Sequence, residues 1–154
     1  RGVKQDAAEA AQWYRKAAAQ GHAKGQYHLA TLLDLQSEAL PLARKQQSQA
    51  EGVRWLKLAA EQGFDRAQSN LGVAYENGEG VAVDKVEARR LYQLAADQGN
   101  AHAKVNLGLM CGRGDGGPMS SSLALHWFKS AAAQGDDDAK KFQTMLEQRG
   151  IQST

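Results

Sequence analysis

The chain has 154 residues, enough to bury a hydrophobic core, and its formal net charge at pH 7 is +2. Helix formers such as alanine, glutamine and leucine are abundant and only two prolines occur, so an all-α domain is predicted. Charges of both signs are mixed along the chain, which argues against a nucleic-acid-binding protein. No apolar run approaches the roughly 20 residues that cross a bilayer, so no integral membrane segment is predicted.

The clearest feature of the sequence is an internal repeat. The motif Ala-Ala-x-Gln-Gly occurs four times, and its terminal glycines are 42, 36 and 36 residues apart. These glycines are Gly21, Gly63, Gly99 and Gly135. Periods of this length are typical of stacked helix pairs. A glycine can end each helix because it adopts the left-handed conformation without a Cβ clash.

Each motif closes a predicted helix of about fourteen residues, the second helix of a pair. Residues suited to N-cap these helices stand fifteen positions before the glycines, at Asp6, Ser48, Asp84 and Ser120. Bulky core residues are predicted at Trp13, Trp55, Leu91 and Trp127, followed directly by Tyr14, Leu56, Tyr92 and Phe128. Small residues recur three positions before the first set, as close helix packing requires.

The first helix of each pair is predicted to follow the repeat glycine. Its apolar face contains Leu29, Leu71 and Leu107, each followed by a small residue, namely Ala30, Gly72 and Gly108. Cys111 stands at a core position of this face, so a buried, inert thiol is expected. Because it is the single cysteine, no internal disulfide can form.

In chain order, the pattern predicts one repeat domain over residues 1–154. Its parts are the second helix of a truncated repeat (1–21), a repeat with an insertion (22–63), two regular repeats (64–99 and 100–135) and a polar C-terminal capping helix (136–154).

Two parts of the chain depart from the regular pattern. Residues 34–47 lack the Gly-x-Gly turn of the later repeats and contain Pro41, so they form either a longer loop or an extra helical turn starting at the proline. At the N-terminal end, Trp13 and Tyr14 lack half of their expected cover. We therefore expect upstream repeats, or association with another chain, at this end.

The third repeat carries a family resemblance. The string Leu71-Gly72-x-x-Tyr75-x-x-Gly78-x-Gly80-Val81-x-x-Asp84-x-x-x-Ala88, continued by Tyr92 and Ala95-Ala96-x-Gln98-Gly99, resembles the Sel-one-like repeat (SLR) family. The resemblance spans nearly the whole chain. It implies a tetratricopeptide-like, right-handed α-α superhelix of antiparallel helix pairs that serves as a protein-binding adaptor in bacteria. Some bacterial members pair a cysteine within each repeat, and Cys111 alone departs from that subgroup.

In tetratricopeptide-like stacks the first helix of each pair lines the concave surface. Residues three, six, ten and thirteen positions after each repeat glycine form a helical stripe that the core does not use. The predicted partner-binding stripe comprises Lys24, Tyr27, Thr31, Asp34, Arg66, Ser69, Val73, Glu76, His102, Val105 and Leu109, and it ends at Gly112. An extended peptide with a charged end and apolar side chains would suit this surface. The alternative is an ordinary solvated helix face.

The sequence therefore predicts a scaffold for a protein or peptide partner, with an envelope module that binds peptidoglycan or glycan as the alternative. The latter needs exposed aromatic rings, and Tyr27 is its one candidate. An enzyme is the third alternative, but no nucleophile, acid–base pair or phosphate loop is marked by a motif. No catalytic, cofactor-binding or metal-binding residue is assigned. The compartment stays open, with a periplasmic or secreted bacterial location preferred to a cytoplasmic one.

Overall fold

The computed structural model describes residues 2–153, and within them all regular structure is α-helical. Eight helices follow one another: α1 Val3–Ala19, α2 Ala23–Ser37, α3 Leu42–Glu61, α4 Asp65–Asn77, α5 Lys85–Asp97, α6 Ala101–Arg113, α7 Ser121–Ala132 and α8 Asp137–Gln148. The predicted all-α repeat fold is confirmed. None of the described helices is long and apolar enough to cross a membrane.

The chain divides into two compact units, Arg1–Val83 (unit 1) and Asp84–Thr154 (unit 2). Unit 1 contains α1 to α4, in which α2 packs against α1 and α3, and α3 packs against α4. Unit 2 contains α5 to α8, in which α6 packs against α5 and α7, and α7 packs against α8. Each unit thus repeats the same local arrangement of first and second helices.

The helix ends follow the predicted chemistry in unit 2 and depart from it in unit 1. Asp84 Oδ1 accepts a hydrogen bond from the Glu87 N–H (3.0 Å), and Ser120 Oγ accepts one from the Leu123 N–H (3.2 Å), as N-caps do. The N-caps predicted at Asp6 and Ser48 are wrong. Helix α1 starts at Val3, after Gly2, and α3 starts at Leu42, after Pro41, because no helix-breaking residue stands between these starts and the predicted caps.

The insertion in the second repeat is helical. Pro41 is the N-cap of α3, and the six residues that follow it extend that helix to 20 residues, so the helical alternative is the one found. Ser48 therefore lies inside the helix, where its hydroxyl donates to the Leu33 carbonyl oxygen (3.0 Å) and ties α3 to α2.

The core is built from small side chains at helix crossings and leucines between them. Ala67, Ala103 and Ala139, which share one repeat position, are each fully buried. The predicted core role of Trp13 is wrong, because its side chain is 70% exposed, whereas Trp55 packs against the buried cluster that contains Leu29. The difference arises because no described helix precedes α1 to cover the tryptophan.

The glutamine of the repeat motif links successive helix pairs. In unit 1, Gln62 Nε2 donates to Gln26 Oε1 (2.9 Å). In unit 2, Lys104 Nζ donates to Gln134 Oε1 (2.9 Å), and Gln134 Nε2 donates to the Gly99 carbonyl oxygen (2.8 Å). These bonds give the motif glutamine a structural role that its periodicity alone did not reveal.

Candidate functional site

A cleft of about 200 Å³ lies in unit 1, between helices α2, α3 and α4. Its apolar lining comes from all three helices and comprises Ala30, Gly52, Val53, Leu56, Val73 and Ala74. The small residues let α2 and α3 approach closely, since a Cβ on Gly52 would lie 3.4 Å from the Ala30 carbonyl oxygen. Two first helices and the second helix between them therefore form one concavity.

The polar lining of the cleft is neutral or acidic. It consists of Thr31, Asp34, Gln49, Asn70 and Glu79. No lysine, arginine or histidine is among the lining residues described. The Asp34 carboxylate makes no hydrogen bond or ion pair within residues 2–153, while Glu79 Oε1 accepts one hydrogen bond, from Asn77 Nδ2 (3.2 Å). The cleft thus combines apolar walls with two carboxylates.

The cleft is open because two side chains in unit 1 are smaller than their counterparts in unit 2. Leu56 and Phe128 both stand seven residues before a repeat glycine, and Asn70 and Phe142 both stand seven residues after one. In unit 2, the rings of Phe128 and Phe142 pack together with their centroids 5.0 Å apart. The Phe128 ring also presses on Gly108, where an added Cβ would lie 2.7 Å from the ring.

The carboxylate of Glu79 has a counterpart in unit 2 that is neutralised internally. Glu79 and Asp115 both stand sixteen residues after a repeat glycine, in the turn that follows a first helix. Asp115 Oδ1 lies 2.8 Å from Lys85 Nζ. Gln49 holds the repeat position of Lys85, so unit 1 has a neutral amide where unit 2 has a cation.

Most of the predicted stripe on α2 is accessible, and part of it lines the cleft. Lys24, Thr31 and Asp34 are exposed, and Tyr27 is half-buried. Thr31 and Asp34 lie at the cleft. The Tyr27 ring makes edge contacts with Phe64 and His28, at centroid distances of 5.3 Å and 5.2 Å, so it belongs to an aromatic cluster.

On α4, the stripe is only partly exposed. Arg66 is exposed, Val73 and Glu76 are half-buried, and Val73 lines the cleft. Ser69 is 2% exposed, so its predicted place on an accessible stripe is wrong. The helix turns Ser69 towards its packed side, and the hydroxyl group is buried without a hydrogen-bond partner in the described structure.

The third part of the stripe lies on α6, in unit 2. His102 is exposed, whereas Val105 and Leu109 are half-buried. Gly112, at the end of this stripe, is exposed. None of these residues lines the cleft of unit 1, so Thr31, Asp34 and Val73 are the predicted stripe residues that line it.

The other end of the stripe in unit 1 is positive. Burial lowers the pKa of the His28 imidazole below its ordinary value, and the positive charges of Lys24 and Arg66 lower it further. Both cations therefore act on the same ring. Asp34 lies ten residues after Lys24 on α2, which corresponds to about 15 Å along a helix. The accessible face of unit 1 consequently runs from two cations to two carboxylates.

The single thiol of the chain lies outside this site. Cys111 is fully buried, as predicted, and burial raises the pKa of its thiol even though the Arg89 guanidinium lies beside it. Arg89 Nη2 donates to Cys111 Sγ at 3.2 Å. A thiol with a raised pKa is a poor nucleophile, which agrees with an inert core residue. Within residues 2–153, no group of three metal-ligating side chains is found.

Sequence reasoning did not find the floor of the cleft or three of its polar residues, Gln49, Asn70 and Glu79. One signal was present, since asparagine stands seven residues after the repeat glycine at both Asn70 and Asn106. The floor on α3 could not be predicted, because its openness depends on the sizes of side chains from three separate helices.

The fold defines a helical-repeat protein with a cleft between helices α2, α3 and α4. A family model described as the Sel1 repeat matches the chain four times, at residues 1–22, 23–64, 65–100 and 101–136. The chain therefore belongs to the Sel1 repeat family. Proteins of this family are generally non-catalytic and typically bind other proteins. A comparison with curated proteins finds no match.

Solved structures share the fold. A protective antigen of uropathogenic Escherichia coli with an SLR fold is 34% identical, with a TM-score of 0.82 over 92% of this chain and 29% of that one. A Sel1 repeat protein from Oxalobacter formigenes is 32% identical, with a TM-score of 0.76 over 88% of this chain and 54% of that one. Cysteine-rich protein B of Helicobacter pylori is 26% identical, with a TM-score of 0.65 over 91% and 96%. This chain thus spans about a third and about half of the length of the first two.

Proposed function

We propose that this chain is an adaptor that binds an extended segment of a partner protein across α2 and α4 of unit 1. The observation that carries the proposal is the cleft between these helices, which joins predicted stripe residues from both of them. Its volume of about 200 Å³ lies below the roughly 300–1,000 Å³ of pockets for small molecules and cofactors. A site of this size suits one side chain of a larger partner.

The charges along the face suggest how such a segment would lie. Lys24 and Arg66 stand at one end, and Asp34 stands about 15 Å away along α2. An extended chain advances about 3.3 Å per residue, so roughly four to five residues would span this distance. A segment with its acidic end beside Lys24 and Arg66 would match the charges, and charge matching favours one direction of binding.

A peptide selection with a cleft-closing variant tests the proposal. The variant combines Ala30→Gly with Leu56→Phe, which copies the Gly108–Phe128 pair of unit 2 and fills the cleft with a ring. Displayed random peptides would be selected on the unmodified chain, and the affinities of the selected peptides would be measured by fluorescence anisotropy. We expect the cleft-closing variant to bind them at least tenfold more weakly while the helical circular dichroism signal is retained.

Leu58→Phe is the matched control, since Leu58 lies on the same helix, is 44% exposed and does not line the cleft. It should leave the affinity within twofold of the unmodified chain. Equal binding by the cleft-closing variant would overturn the proposed site. A selection that returns no binding peptide would overturn the proposed function itself.

A further inference from the structure

The cleft of unit 1 has an acidic side chain whose counterpart in unit 2 is paired within the chain. Asp115 lies 2.8 Å from Lys85 and 3.9 Å from Arg113, so two cations of its own unit neutralise it. At the same repeat position, the Glu79 carboxylate accepts a hydrogen bond from the Asn77 amide (3.2 Å) and forms no ion pair within residues 2–153. The residue that would pair with it by analogy is Gln49, which is uncharged.

A second carboxylate increases the negative charge of the cleft. Asp34 is exposed, lines the cleft and makes no ion pair within the described part of the chain. Two carboxylates at the edge of an apolar concavity are favourable while water reaches them. Once a partner covers the concavity, their desolvation costs free energy unless the partner brings a compensating charge.

The walls below the carboxylates are aliphatic. Val53, Leu56 and Val73 line the cleft, and the two alanines beside them leave room for a narrow chain of methylene groups. A lysine or arginine side chain combines such a stem with a cationic head, and it commonly buries the stem along apolar surface while the head meets a polar group. The chemistry of the lining therefore matches a basic side chain from stem to head.

We propose that the segment bound by unit 1 inserts one lysine or arginine side chain into this cleft, where its cationic head pairs with Asp34 and Glu79. The inference rests on the proposed function and names the residue class that the cleft selects. The partner supplies the cation that unit 2 obtains from its own Lys85. An uncharged or acidic residue at this point of the segment leaves the two carboxylates unpaired, so it is rejected.

Peptides that differ at one position test the inference directly. A selected peptide would be compared with versions in which its basic residue becomes methionine, which keeps a flexible stem without the charge, or glutamate. At 50 mM NaCl, we expect the methionine peptide to bind at least tenfold more weakly than the basic peptide, and the glutamate peptide to bind more weakly still. Raising the NaCl concentration to 500 mM should lower the affinity of the basic peptide, because salt screens the ion pair. The affinity of the methionine peptide should stay nearly unchanged.

Two variants of the full chain assign the effect to named residues. Asp34→Asn combined with Glu79→Gln should reduce the preference for the basic residue over methionine to within twofold. Gln49→Lys should lower the affinity for the basic peptide at least tenfold, since it places beside Glu79 the cation that unit 2 already accommodates. Glu61→Gln is the control for Gln49→Lys, because Glu61 is exposed and outside the cleft, and its replacement changes the net charge by the same one unit.

The outcomes separate this inference from the proposed function. Selected peptides that bind the cleft, and lose affinity with the cleft-closing variant, yet show no preference for a basic residue would overturn the inference alone. An equal loss of affinity with Glu61→Gln would also overturn it, since the effect would then come from overall charge. If no peptide binds, both proposals fail.

Discussion

Units 1 and 2 are built from the same helix pair, but three residues that line the cleft of unit 1 have larger or charged counterparts at the same repeat positions in unit 2. Unit 2 has Phe128 and Phe142 in contact, and Lys85 paired with an aspartate. At the equivalent positions, unit 1 has Leu56, Asn70 and Gln49, all of which line the cleft. The contrast shows that a helical repeat can leave a cleft where large side chains are replaced by smaller ones, while the helices keep their packing.

The largest expected effect compares the two bulky positions directly. Phe128→Ala should lower the free energy of unfolding by about 3–5 kcal/mol, because the ring is 3% exposed and packs against both neighbouring helices. Leu56→Ala should cost only about 1–2 kcal/mol, since its side chain is half-buried at an open cleft and loses fewer contacts. Urea unfolding followed by circular dichroism measures both. If the two substitutions lowered the free energy of unfolding equally, Phe128 would not be more tightly packed in unit 2 than Leu56 is in unit 1.

A second experiment changes the fit between a small and a large residue in unit 2. Gly108→Ala should destabilise by about 1–2 kcal/mol, because the new Cβ would lie 2.7 Å from the buried Phe128 ring. In a Phe128→Leu background, the same change should become neutral or stabilising, since it recreates the Ala30–Leu56 pair and alanine favours a helix. A double-mutant cycle in urea gives the coupling. If Gly108→Ala still lowered the free energy of unfolding in the Phe128→Leu background, this fit would be contradicted.

The smallest expected effect concerns the positive end of the face in unit 1. The pKa of His28 is lowered by burial and by Lys24 and Arg66, so the unfolded state binds a proton more readily than the folded state. Stability should therefore be full above the unfolded pKa of about 6.5 and decrease as the pH falls below it towards the folded pKa. His28→Asn, the residue type of the equivalent Asn70, should remove this part of the pH dependence.

Thermal unfolding from pH 8 to pH 5 checks the histidine prediction as a difference between the unmodified chain and the variant. The control is Asn70→Ser, at the equivalent repeat position, which changes no titratable group and should leave the pH dependence unchanged. Parallel curves for the unmodified chain and His28→Asn would mean that the pKa of His28 is not lowered in the folded state.

Much of the fold could be predicted because the helix ends carry their own chemistry. Gly63, Gly99 and Gly135 all adopt positive φ, as predicted for residues that end a helix. The errors in the helix boundaries came from residues of an N-cap type that lie inside a helix. Ser48 resembles an N-cap but lies within α3, because the six preceding residues are good helix formers that extend the helix.

The candidate site was predicted less well than the fold. Periodicity placed Thr31, Asp34 and Val73 on one helix stripe, and the structure brings these three together at the cleft. The same periodicity placed Ser69 on the accessible stripe, although its side chain is buried. A stripe defined by spacing assumes that each helix presents the same face, whereas the actual exposure depends on which neighbours cover it.

The sequence by itself determined the number of helix pairs, their boundaries at the repeat glycines and the family, because these depend on local backbone preferences and on a repeating pattern. Only the tertiary structure decided where a cleft remains between the helices, and that its two carboxylates form no ion pair within residues 2–153. The free volume of the cleft depends on the sizes of side chains from α2, α3 and α4. Whether a turn carboxylate forms an ion pair depends on its distance from a side chain on a helix far away in the sequence. Neither quantity can be read along one helix, and for this protein both distinguish Leu56, Asn70 and Gln49 from Phe128, Phe142 and Lys85.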